Sequence, residues 1–104
     1  MSVVSNIIKR FRGDTYPLIV TLKENSTAVN LAGSTVRMTI GLDTPSTITA
    51  TITDAAGGEV QFDFTQTEVG VSGRFSYDIE VIDSGGIVTT YVKDIFELVE
   101  DVTP

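Results

Sequence analysis

The 104-residue chain contains no cysteine, no histidine and no tryptophan. Without cysteine there are no disulfides and no thiolate metal sites. Without histidine the commonest general base and the commonest metal ligand are missing too. Ser–His and Cys–His nucleophile pairs are therefore excluded. Positive charge is also short: 7 Lys and Arg stand against 14 Asp and Glu, for a net charge of −7. Such a surface repels phosphate backbones and anionic headgroups, so nucleic acid and membranes are not expected partners. No stretch approaches the ~20 apolar residues of a membrane span. The opening MSVVSNIIKRFRGD lacks the apolar run of a signal peptide, and the chain reads as mature and made in the cytoplasm.

What is present is a pattern of period two. Tyr16, Leu18, Val20 and Leu22 share one face of a run, and Val36, Met38, Ile40 and Leu42 do so in the next. Ile48, Ala50 and Ile52 alternate with Thr47, Thr49, Thr51 and Thr53. Val60, Phe62 and Phe64 follow, then Phe75, Tyr77, Ile79 and Val81, and finally Val88, Val92, Phe96 and Leu98. Asn25-Ser26, Ala32-Gly33, Thr44-Pro45-Ser46, Ala56-Gly57-Gly58, Ser72-Gly73 and Ser84-Gly85-Gly86 punctuate these runs. Short alternating runs at this spacing predict an all-β antiparallel sandwich or barrel in one domain, and no segment carries a helical period. Phe62, Phe64, Phe75, Tyr77, Ile79 and Phe96 are the expected centre of the core. A weaker run, SNIIKRF, is an expected edge strand.

Two residues break the pattern. Pro17 lacks an N–H and demands an edge or a bulge. Asp94 falls on the inward parity between Val92 and Phe96. A bulge near Lys93-Asp94 is the preferred explanation, with a wetted rim position as the alternative.

The remaining polar groups offer little chemistry. Asp63, Asp78 and Glu80 could make a carboxylate pair, but they lie on outward strand positions and read as solvated faces. Asp83-Ser84-Gly85-Gly86 has too few carboxylates for calcium and reads as a hairpin turn. Gly57-Gly58 is followed by no helix and no lysine, so it cradles no phosphate. The threonine row is a water-facing strand rather than an ice-binding plane, since only one strand carries it. Glu97, Glu100 and Asp101 make an acidic end. No catalytic, metal or cofactor-binding residues are assigned, and the chain is not expected to be an enzyme.

Arg12-Gly13-Asp14-Thr15 admits two readings. Arg-Gly-Asp is an adhesion tripeptide, which would call for a long exposed loop. It is also good turn chemistry: Gly13 permits a positive φ, and the Asp14 carboxylate can accept backbone N–H bonds. Strand-like sequence on both sides favours Gly13 and Asp14 as a structural turn.

The stretch RGDTYPLIVTLKENSTAVNLAGSTVRMTI, followed by GRFSYDIEVIDSGGIVTTYVKDIFELVEDVT, resembles a phage family: the N-terminal immunoglobulin-like domain of BppU-type baseplate upper proteins. The resemblance covers roughly residues 9 to 103. Asp94 departs from it, standing where the family often has Gly. So does length, since members often continue into a fibre or receptor-binding region. The resemblance implies an immunoglobulin-like antiparallel β-sandwich of about seven strands over residues 1–104, with a possible N-terminal arm at 1–10. It implies a structural protein of a tailed-phage virion, made in the bacterial host and acting in the tail or baseplate by packing. A capsid decoration protein is the alternative. A host- or carbohydrate-binding module is a third, with Tyr91 its one obvious outward aromatic.

Other virion proteins and further copies of the chain are the expected partners. Ile7, Ile8, Lys9, Arg10 and Phe11 form the candidate subunit contact, because Val3, Val4, Ile7, Ile8 and Phe11 exceed what one edge strand buries. The basic cluster Lys9, Arg10 and Arg12 is expected to meet the acidic end of a neighbouring copy head to tail.

Overall fold

The computed structural model describes residues 7–100. Val3, Val4 and Asp101, and with them most of the expected arm, lie outside the described residues. The chain forms β1 (Ile8–Phe11), β2 (Leu18–Thr21), β3 (Lys23–Glu24), β4 (Thr27–Ala28), β5 (Thr35–Ile40), β6 (Ser46–Thr49), β7 (Thr51–Asp54) and β8 (Glu59–Phe62). A one-turn helix α1 (Gln66–Val69) precedes β9 (Gly73–Ile82) and β10 (Val88–Val99). A five-stranded sheet runs β1-β10-β9-β5-β6, a three-stranded sheet runs β2-β8-β7, and β3 and β4 form a small hairpin. The whole is a β-sandwich-like arrangement.

The alternating runs become strands because alternate side chains reach a common core. Val36, Met38 and Ile40 from β5, Ile79 and Val81 from β9, and Val60 and Phe62 from β8 are buried in one cluster. Each such side chain is worth about 1.5–3 kcal/mol when fully buried. Phe96 sits between two aromatic edges. Its ring centroid is 5.5 Å from Phe64 at 66° and 6.3 Å from Tyr77 at 84°, the edge-to-face geometry aromatic quadrupoles favour. Phe75, expected at the centre, is only partly buried and packs against the cluster's margin.

Ten strands are present among the described residues, where the sequence reading counts about seven. The run through Leu22 divides into β2 and β3. Asn25 and Ser26, at φ 52° and 67°, make the two-residue loop to β4, and two left-handed residues in succession suit the twist of a tight hairpin. The threonine run divides at Ala50, whose N–H donates to the Val36 carbonyl (2.8 Å). Its first half pairs with β5 and its second half with β8. This strand therefore passes from one sheet to the other.

Four expectations are corrected. The sandwich is not wholly antiparallel: β1 pairs parallel with β10, Ile8 beside Phe96 and Phe11 beside Val99. These strands come from opposite ends of the domain, so no hairpin forces them to oppose. A helix does exist. Thr65-Gln66-Thr67-Glu68 is a capping box in which Glu68 Oε1 accepts from the Thr65 N–H (2.7 Å) and hydroxyl (2.9 Å), the S/T-x-x-E signature of a helix start. One turn is too short to show a period. The bulge lies at Tyr91, between Thr90 and Val92, and not at Lys93-Asp94. It turns Val88 outward and leaves Tyr91 half-buried. Asp94 stays in register opposite Tyr77, half-buried, and accepts from the Ile95 N–H (2.8 Å). Finally, Tyr16 does not share the buried face of its run; it is exposed.

Candidate functional site: an open side between two strand edges

β1 alternates as a half-buried strand should. Ile7, Lys9 and Phe11 face out, while Ile8 and Arg10 face in. Arg10 is only 3% exposed. Its guanidinium lies between two rings, 3.8 Å from the Tyr16 centroid and 4.5 Å from that of Phe64. Nη1 donates to the carbonyls of Tyr16 and Asp14, the latter at 3.4 Å. Nη2 is buried without a partner among the described residues. Desolvation draws the Arg10 pKa below its ordinary value, and the nearby Tyr16 and Asp14 act against that. Two ring faces compensate part of the lost hydration of a buried cation.

The Arg12-Gly13-Asp14 segment is tied at several points. The Arg12 N–H donates to the Val99 carbonyl (2.7 Å), the Gly13 N–H to that of Val69 (2.7 Å) and the Asp14 N–H to that of Phe11 (3.2 Å). Gln66 Nε2 donates to the Gly13 carbonyl (3.0 Å). Gly13 takes φ +91°, a left-handed value that L side chains rarely adopt. Asp14 engages this turn through its main chain, as donor to Phe11 and acceptor from Arg10.

β1 ends one sheet and β2 ends the other, on the same side of the molecule. Between them opens a cleft of about 330 Å³ lined by Ile8 and Arg10 of β1, Leu18 and Val20 of β2, and Tyr77 and Ile79 of β9. Lys9 and Arg10 line it, and none of its lining residues is acidic. The Leu22 N–H donates to the Gly58 carbonyl beside β8 (2.8 Å). Even-numbered residues of this run therefore turn their peptide groups to β8, and Ile19 and Thr21 turn theirs to the free edge. Pro17 shares that outward parity, so its missing N–H breaks no ladder.

The expected contact residues are thus divided. Ile7 and Phe11 are more than half exposed, at 55% and 57%, with Lys9 between them. Ile8 and Arg10 belong to the domain's own interior. The expected separation of the basic and acidic segments is corrected as well: Lys9 stands in register with Glu97 on the adjacent strand of the same molecule. The basic and acidic segments are neighbours, not opposite poles.

The other polar groups have local roles. Glu80 pairs with Arg37 (3.1 Å). Burial, and next the charge of Glu80, raises the Asp78 pKa. Asp63 accepts from Gln61 Nε2 (2.9 Å). Asp83 Oδ1 accepts from the N–H groups of Gly85 (2.9 Å) and Ile87 (3.0 Å), closing the last hairpin. Tyr91 donates to Glu24 Oε2 (3.4 Å) and packs against the core, so it is not an outward aromatic. Sequence reasoning missed two residues here. Tyr16 was read only as sharing the face of Leu18, Val20 and Leu22, and Glu68, buried and accepting also from Ser46 Oγ (3.0 Å), was not singled out. The T-x-x-E spacing was the available signal for Glu68.

Comparison with known proteins gives two findings. The family model described as the BppU N-terminal domain matches residues 2–101. Among solved structures, the N-terminal domain of phage TP901-1 ORF48 is similar, with a TM-score of 0.63 at 14% identity. That match covers 96% of this chain and 85% of the other. No curated protein matches.

Proposed function

The chain belongs to the BppU N-terminal domain family, a family of phage baseplate structural components, and from that membership we propose that it is a packing component of a tailed-phage tail or baseplate. Family membership over nearly the whole chain is the observation that carries this reading. The local geometry agrees with it. Glu80 is held by Arg37, Asp63 accepts from Gln61, Asp83 closes a turn and Glu68 caps a helix. What the surface offers instead is exposed apolar area at β1, between sheet edges, suited to contact with another protein.

On this reading the protein resides in the virion as more than one copy, and it acts by docking, not by turnover. Its outward contact is Ile7, Lys9 and Phe11, set on a rigid base of Ile8 and Arg10. An antibody or affinity tag on the chain should label the tail end of purified particles in electron micrographs, and tails purified away from heads should retain the protein. Label confined to the heads would refute the tail reading in favour of capsid decoration. Replacing Ile7 and Phe11 by Ser should leave a folded protein that enters particles poorly; normal incorporation would remove the β1 face from the contact.

A further inference from the structure

The open side of the sandwich has three properties that belong together. Among the described residues β2 presents an unpaired edge, with the peptide groups of Ile19 and Thr21 directed outward. The cleft beside it carries two cations and no acid, in a chain where acids outnumber bases 14 to 7. At its wall, the Nη2 of Arg10 is buried with no acceptor among the described residues. Buried donors of this kind are normally satisfied, and a guanidinium edge is shaped to receive a carboxylate.

We propose that the β2 edge is a strand-addition site for an extended segment of another protein, one that carries a carboxylate over Arg10. The segment's backbone bonds to Ile19 and Thr21, giving the three-stranded sheet a fourth strand. Its inward side chains lie in the cleft over Leu18 and Val20. Its Asp or Glu accepts from Arg10 Nη2, with Lys9 adding attraction at the rim. Tyr16 is the exposed half of the stack on Arg10, so turning its ring aside opens the guanidinium. A second copy of this chain is a poorer occupant: β2 reads Leu18-Ile19-Val20-Thr21, and edge-to-edge pairing would bring no carboxylate to Arg10. The site does not depend on where in a particle the protein resides.

The probe is a set of synthetic eight-residue peptides alternating Val and Thr, with one Glu scanned along the sequence, followed by fluorescence polarisation. One register should bind best and should lose at least tenfold in affinity when its Glu becomes Gln. The decisive variant is Ile19→Pro. It removes an outward N–H without touching the β8 ladder, and it should abolish binding while the melting curve stays cooperative. In the wild type, amide resonances of Ile19 and Thr21 should move on titration, a readout that stands if the proline variant fails to fold. Failure of every peptide, equal binding by Gln and Glu peptides, or shifts confined to other strands would each overturn the proposal. So would strong hydrogen-exchange protection of Ile19 and Thr21 in the free protein. Such protection would mean that a second copy, or the chain's own first residues, already covers the edge. Binding to a mislocalised protein would sink the tail reading and leave this one standing.

Discussion

Arg10 stacks its guanidinium 3.8 Å from the centroid of the Tyr16 ring while donating through Nη1 to the same residue's carbonyl. One exposed tyrosine thus both covers a buried cation and anchors it. Tyr16→Ala should destabilise the fold by about 1–2 kcal/mol, the range expected for a partly desolvated cation–π contact. Tyr16→Phe keeps the ring and the carbonyl and should cost far less. Urea titration of the two variants checks this, and equal losses would assign the effect to the hydroxyl instead.

The first strand is part of the domain. Ile8 is buried, and β1 covers the edge of β10 through a four-residue ladder. Removing residues 1–11 should therefore lower the melting temperature by roughly 10 °C or more, since 1 kcal/mol shifts it by about 4–8 °C in domains of this size. An unchanged thermal transition would mean that β1 is a dispensable arm.

Two glycines separate conformational cost from crowding. A Cβ on Gly13 would meet nothing nearer than Gln66 Oε1 at 3.9 Å, so Gly13→Ala is penalised by its φ of +91° alone, at about 1–2 kcal/mol. A Cβ on Gly58, at φ +69°, would also stand 2.6 Å from the Leu22 carbonyl oxygen and 3.0 Å from that of Val29. Gly58→Ala should be clearly the worse of the two in denaturant melts. The reverse order would contradict the described backbone.

Tyr77 gives a pH test. Burial, followed by the charge of Asp94, raises its pKa from 10.0 to about 12. The neutral hydroxyl is favoured in the folded state, so the unfolded chain loses this proton first. The Tyr77 contribution is constant below about pH 10 and is lost as pH rises toward 12, by roughly 2–3 kcal/mol for a shift of this size. Tyr77→Phe removes that contribution, and its stability should decline less between pH 10 and 12 than the wild type's. Parallel curves would show that other groups govern the alkaline transition.

Much of the β-sheet framework was legible because strand burial has period two. β5, β8 and β9 follow their alternation, and the turns at Asn25-Ser26, Gly33 and Gly85-Gly86 lie where their chemistry predicts. The switch at Ala50 was hidden for the same reason. The inward parity of Ile48, Ala50 and Ile52 continues unbroken while the hydrogen-bond partners change sheets. The bulge at Tyr91 was misplaced because Val88 and Val92 share a parity that the extra residue in fact breaks. Arg10 illustrates a deeper limit. A cation inside a strand pattern reads as surface, and the rings that enclose it come from residues 16 and 64. Nothing in the local sequence brings them together. The parallel pairing of β1 likewise depends on a contact between the two ends of the domain.

That pairing has a mechanical consequence. β1 begins at Ile8 and β10 finishes at Val99, and the two run side by side in the same direction. A pull applied between the preceding and following chain draws one strand backward and the other forward, along the ladder's own axis. The inter-strand bonds must then slip together in shear; they cannot peel open one at a time from an end. The rate of opening under load is set by the barrier to that collective slip. A domain whose terminal strands are joined in this way resists tension best along the line on which its own chain would transmit it.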